Sequence, residues 1–124
     1  MGIFDFLFGK RDPVSSAYKQ YEKNELANFK VAVEDLKFKA EHPVGSQSYA
    51  NVSLHDLLER TKRVTLSQMK LELSYEEYKR ACDEAGIDSV KDGAEREQVG
   101  SNTRTQIMQL EAEWWDLTDS LDLP

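Results

Sequence analysis

Metal or acid–base chemistry needs ligating side chains brought to one point, and His55, Asp56 and Glu59 form the densest such group in this chain. His55 and Glu59 are one helical turn apart and would share a face. A metal ion needs three or four converging ligands, however, and the other histidine, His42, falls in a preceding loop. The same residues suit a solvated first turn, where acids meet the positive end of a helix. That arrangement is expected, and no metal or other cofactor is inferred.

Cys82 is the single cysteine, which excludes an intramolecular disulfide and a cysteine-rich zinc site. Its neighbours Asp83 and Glu84 would raise the thiol pKa, the wrong direction for a nucleophile. Cys82 is therefore read as a small core residue. No G-x-x-x-x-G-K-[ST] or G-x-G-x-x-G phosphate loop and no serine elbow occurs. The acid pairs Glu34-Asp35, Glu76-Glu77 and Asp83-Glu84, and the cations Arg60, Lys62 and Arg63, read as solvated, salt-bridging helix faces. The expectation is a protein that is not an enzyme, with no small-molecule substrate.

The elements that carry these residues follow from composition and spacing. A chain of 124 residues, 40% hydrophobic and 31% charged with six Gly and three Pro, fits one charged helical domain. The net charge of −7 comes from the C-terminal third, and residues 105–124 hold five acids and no lysine or arginine. Such an end repels a polyanion, so direct nucleic-acid binding is disfavoured. The lone cysteine and the want of a secretory leader place the chain in the cytoplasm: Ile3 to Phe8 is too short for a signal core, and Lys10 and Arg11 follow it. No apolar run approaches the roughly 20 residues of a membrane-spanning helix.

Residues 1–12 are read as a docking segment. Met1-Gly2-Ile3-Phe4-Asp5-Phe6-Leu7-Phe8-Gly9-Lys10-Arg11 gathers five large apolar side chains around Asp5, and the breaker pair Asp12-Pro13 follows. It resembles the membrane-contacting N-terminal helices of bacterial peripheral proteins such as the phage-shock-protein A type and certain signal-recognition receptors. The resemblance implies docking at the inner face of a membrane. Ile3, Phe4, Leu7 and Phe8 would be buried there, with Lys10 and Arg11 near anionic lipid. The same side chains would equally fill a groove of the protein's own core, of a second copy or of another protein.

Residues 13–124 are read as a single helical domain. Tyr18, Tyr21, Glu25, Phe29, Ala32, Leu36 and Ala40 recur at spacings of three and four, predicting a helix over about 14–41 capped by Ser15 or Ser16. Pro43 stops it, and 42–51 reads as a loop. Leu57, Thr61, Val64, Gln68, Leu71, Tyr75, Tyr78, Cys82 and Ala85 then predict a helix over about 53–85, capped by Asn51 or Ser53 and ended at Gly86. Val64-Thr65 and Ser74-x-x-Glu77, which has the form of a capping box, leave open a split into two helices. Residues 86–101, with Gly86, Gly93 and Gly100, read as a mobile connection containing at most a helical turn. Ile107, Leu110, Trp114, Leu117 and Leu121 predict the last helix over about 102–121. The fold class is all-α: an elongated antiparallel three-helix bundle, or a long coiled-coil-like hairpin plus a third helix.

The C-terminal stretch alternates acids with large apolar groups. Two adjacent tryptophans cannot easily face one core, so Trp114, Trp115, Asp116, Asp119 and Asp122 form a candidate partner interface. The functional expectation is a bacterial or phage-derived interaction and assembly module, self-associating or bound to another protein, with an anionic membrane surface as a further target. The alternative is a small acidic inhibitor or immunity-type protein whose carboxylates occupy a basic site on a nucleic-acid-binding partner.

Overall fold

The first helix begins at the proline of an Asp-Pro pair that follows the apolar segment, and the pair explains why. In the computed structural model, which describes residues 12–121, α1 (Pro13–Glu41) is capped by Asp12, not by Ser15 or Ser16. The Asp12 carboxylate accepts the Val14 N–H at 3.0 Å. Pro13 takes the first helical position, where its missing N–H has no intrahelical role. The expected breaker is thus a helix start. The docking residues Ile3, Phe4, Leu7, Phe8, Lys10 and Arg11, together with Asp122, lie outside the described residues.

His42 caps the C-terminal end of α1 ahead of Pro43, and the loop that follows holds one short turn, α2 (Gln47–Ala50). Ser53 then caps α3 (Leu54–Glu84), its hydroxyl accepting the Asp56 N–H at 3.1 Å. This helix is continuous through both suspected breaks. Ser74 is buried and its hydroxyl donates to the Leu71 carbonyl at 2.9 Å, so the capping-box pattern is not used. Gly86, at φ +70°, ends the helix as expected. The Gly86 N–H reaches the Asp83 carbonyl at 3.1 Å and the Ile87 N–H reaches that of Cys82 at 2.8 Å, the paired bonds of a Schellman ending.

The expected mobile connection over 86–101 is instead a three-turn helix, α4 (Ser89–Val99). Asp88 caps it through the Val90 N–H at 3.0 Å, and Gly100, at φ +79°, ends it. Two of the three glycines therefore punctuate helices and do not line one face. Gly93 lies inside α4, where an added Cβ would stand 3.6 Å from the Tyr78 hydroxyl. The helical cost of that glycine, about 1 kcal/mol relative to alanine, is offset by what α4 gains there. Tyr78 donates a short hydrogen bond to the Asp92 carboxylate, which also receives Arg96 Nε at 2.7 Å. Ser101 caps α5 (Asn102–Ser120) through the Arg104 N–H at 2.9 Å.

The described chain is all-helical, and its long helices pack together. α3 runs antiparallel to α1: Tyr18 meets Tyr78 with ring centres 5.3 Å apart, Ser67 donates to Asn28 Oδ1 at 3.0 Å, and Arg60 lies 3.8 Å over the Phe38 ring. α4 turns the chain over the start of α1, and α5 then runs parallel to α1, with Ser101 beside Glu22 and Glu113 beside Lys37. α1 is thus the shared strut of an up-down-up bundle. At 29 and 31 residues, α1 and α3 are each about 45 Å long.

The core is slender. Val14, Tyr18, Tyr78 and Cys82 form its main cluster, with Ala17, Tyr21 and Ala81 against them. Val33, Leu36 and Ile107 are buried farther along. The inward face of α3 is also rotated from the expected stripe. Thr61, Gln68 and Ala85 are exposed, while Arg60, Ser67 and Ser74 lie toward α1 and are partly or fully covered. Serine lets the two backbones approach and keeps a hydrogen-bonding group there, which a count of apolar positions cannot register.

Candidate functional site

The polar side chains that the fold gathers most tightly belong to a clasp that the spacing did not reveal. The Arg104 side chain is 11% exposed and reaches from the first turn of α5 onto α1. Its Nη1 lies 2.8 Å from Glu25 Oε1, its Nη2 donates to the Tyr18 hydroxyl at 3.0 Å, and its Nε stands 3.4 Å from Glu22 Oε2. Ser101 donates to the other Glu22 oxygen at 3.1 Å. Burial opposes the guanidinium charge, but Glu25 and the Tyr18 hydroxyl hold its pKa above the ordinary arginine value. The one visible signal was Glu25, an acid standing in the apolar register of α1.

A second cluster joins α4 to the end of the α1–α3 pair. Tyr78 and Arg96 converge on Asp92, and Arg96 Nη1 donates to Ser15 Oγ at 3.2 Å. Burial would raise the Asp92 pKa, but the bonds from Tyr78 and Arg96 outweigh it and leave the carboxyl below its ordinary value. The sign of the stability effect follows. A carboxyl whose folded pKa is depressed stabilises the fold above its unfolded pKa, about 3.9. Thermal melts are therefore expected to lose stability as the pH falls below about 4 and through the lower folded value. Asp92→Asn should flatten that acid limb, and an unchanged limb would show that the Asp92 charge does not carry it.

Cys82 is fully buried, and burial pushes its thiol pKa up. His55, Asp56 and Glu59 are exposed on the first turns of α3, and His42 instead hydrogen-bonds Ser48 and packs on Phe38. Among the described residues no group of three His, Cys, Asp or Glu side chains is placed to hold a metal ion. Arg60 and Arg63 pack toward α1, the latter 3.7 Å from Glu34, and they rim an open groove of about 660 Å³ floored by Ala27, Val31 and Leu66.

What the fold leaves uncovered is apolar. On the outer side of α3, Leu54, Leu58, Met69 and Leu73 are between 51% and 71% exposed, and Leu66, at the edge of the groove shared with α1, is 44% exposed. Leu58, Leu66, Met69 and Leu73 fall at spacings of eight, three and four residues, with Lys62 filling the gap, so they form one row along a straight helix. α5 has a shorter outward row. Trp114 is partly covered, as expected of the core-side tryptophan, while Trp115 is 53% exposed, with its ring edge-on to Trp114 at 4.9 Å. Asp116, Asp119 and Glu111 are exposed around Trp115, as is Met108.

Among the described residues no helix is long and apolar enough to cross a membrane. Comparison of the chain with known protein families, with curated proteins and with solved structures finds no match.

Proposed function

We propose that this chain is a non-enzymatic helical interaction and assembly module. The observation that supports this reading is the row Leu54, Leu58, Leu66, Met69 and Leu73 on the outer side of α3. Leu58, Leu66, Met69 and Leu73 in one row, with Leu54 one turn ahead and Lys62 in the gap, make an exposed apolar surface of the kind that marks an interaction site, whereas scattered single leucines would need no explanation. We take the module to work in a reducing compartment, the cytoplasm, a reading supported by its lone cysteine. The docking segment over residues 1–12 is its second contact, peripheral at a membrane where the target is anionic lipid.

A photo-cross-linking amino acid placed at Leu73, with a control at Glu95 on α4, tests the reading in the cell that makes the protein. A protein adduct from position 73, absent from position 95, is the expected result, whether the captured chain is a copy or a different protein. No protein adduct from Leu58, Met69 or Leu73 overturns the reading.

A second reading, an acidic inhibitor of a nucleic-acid-binding partner, is favoured by Trp115 alone. It stands exposed among Glu111, Asp116 and Asp119 on a helix whose second half has no cation. In that reading the tryptophan anchors and the carboxylates occupy the basic site.

A further inference from the structure

The outer row of α3 carries its charges in an order that selects its occupant. From Leu54 to Leu73 the row spans about 28 Å at 1.5 Å per residue. Its midpoint, taken between Leu58 and Leu73, falls between Thr65 and Leu66. Leu58 and Leu73 are equally far from that midpoint, as are Lys62 and Met69. Glu59 and Lys70 lie on one flank of the row, and Glu72 lies on the other. Among the described residues Glu59, Lys62, Lys70 and Glu72 enter no ion pair within the chain, and all four are exposed.

We propose that a second copy of this chain covers the row, α3 packing antiparallel on α3 about a two-fold axis between Thr65 and Leu66. The operation preserves each flank and reverses direction. Leu58 then faces Leu73 of the other copy, and the two Leu66 side chains meet near the axis. Lys62 lies within one turn of the other copy's Glu72, and Glu59 within two residues of its Lys70. Each contact occurs twice, as an isologous interface requires. A parallel pair would set the central Lys62 against its own copy, which like-charge repulsion disfavours. The inference rests on the assembly reading above and names the partner of the same surface.

Sedimentation equilibrium of the full chain across a concentration series reads the result. The wild type should rise from one chain to two and stop there, since a two-fold contact closes on itself. Met69→Lys with Leu73→Lys should remain one chain throughout, with an unchanged helical circular-dichroism spectrum because both side chains are outside the core. Lys62→Glu should weaken the dimer at least about tenfold by facing Glu72, and Lys62→Glu with Glu72→Lys should restore it to within about threefold. A wild-type chain that stays single at every concentration overturns the proposal, as does a dimer that survives the double lysine variant. A dimer that the charge exchange fails to restore overturns the antiparallel register. If the chain stays single while the cross-link from position 73 captures a different protein, the second-copy inference falls and the assembly reading stands. If neither a dimer nor an adduct forms, both fall.

Discussion

Replacing Arg104 by methionine is expected to destabilise the fold by about 3 to 5 kcal/mol, the range for removing one partner of a buried charge pair. The size of the effect comes from what is left behind. Glu22 and Glu25 stay on the covered side of α1, their side chains 10% and 19% exposed, without the cation that both approach. Removing all the charges together, as Arg104→Met with Glu22→Gln and Glu25→Gln, should recover much of the loss, because the greater part of the penalty is an orphaned charge. Urea titration of the three proteins checks this. A single variant as stable as the wild type would mean that water reaches the clasp, and an equally unstable triple variant would place the energy in Arg104's packing contacts.

Tyr78→Ala should cost a similar amount, about 3 to 5 kcal/mol, for a different reason. Its ring is 2% exposed and lies among Tyr18, Tyr21, Val14 and Cys82. It meets Tyr18 edge-on and Tyr21 in a stack at 6.1 Å, so deletion opens a cavity in the main cluster of a slender core. Tyr78→Phe separates ring from hydroxyl. It keeps the packing and removes one donor from Asp92, which retains Arg96, so a loss of about 1 kcal/mol is expected. Equal losses from the two variants, measured by the same titration, would shift the weight from the ring to the bond that anchors α4.

The positions of the long helices were legible because each carries mainly apolar residues recurring at spacings of three and four over several turns. Gly86 marked an ending because a residue with positive φ was needed there. α4 was not legible for a physical reason. Most of its residues are polar, its two valines are exposed, and it buries none of its residues fully. The helix is held by Asp92 and Arg96 through a tyrosine 14 residues earlier in the chain, so local periodicity has nothing to report. The clasp was hidden in the same way, since Arg104 and Glu25 are 79 residues apart and neither stands out among 39 charged residues. The pairing of Trp114 inward and Trp115 outward, by contrast, follows from their adjacency on one helix.

That α1 serves both neighbours has a consequence for the order in which the protein is made. During synthesis α1 emerges first, and its partner α3 follows a short loop, so the hairpin can close early. The other side of α1, with Glu22, Val33 and Leu36, waits for α5, whose first contact lies 79 residues beyond Glu22. α3 ends at Glu84, so once the hairpin is complete a further 17 residues must be added before Ser101, roughly 1 to 3 seconds at about 5 to 20 residues per second. Through that interval the nascent hairpin carries two carboxylates beside uncovered apolar side chains, a charged margin that disfavours pairing with another unfinished chain. The acids that later hold Arg104 thus guard the same surface before Arg104 has been added to the chain.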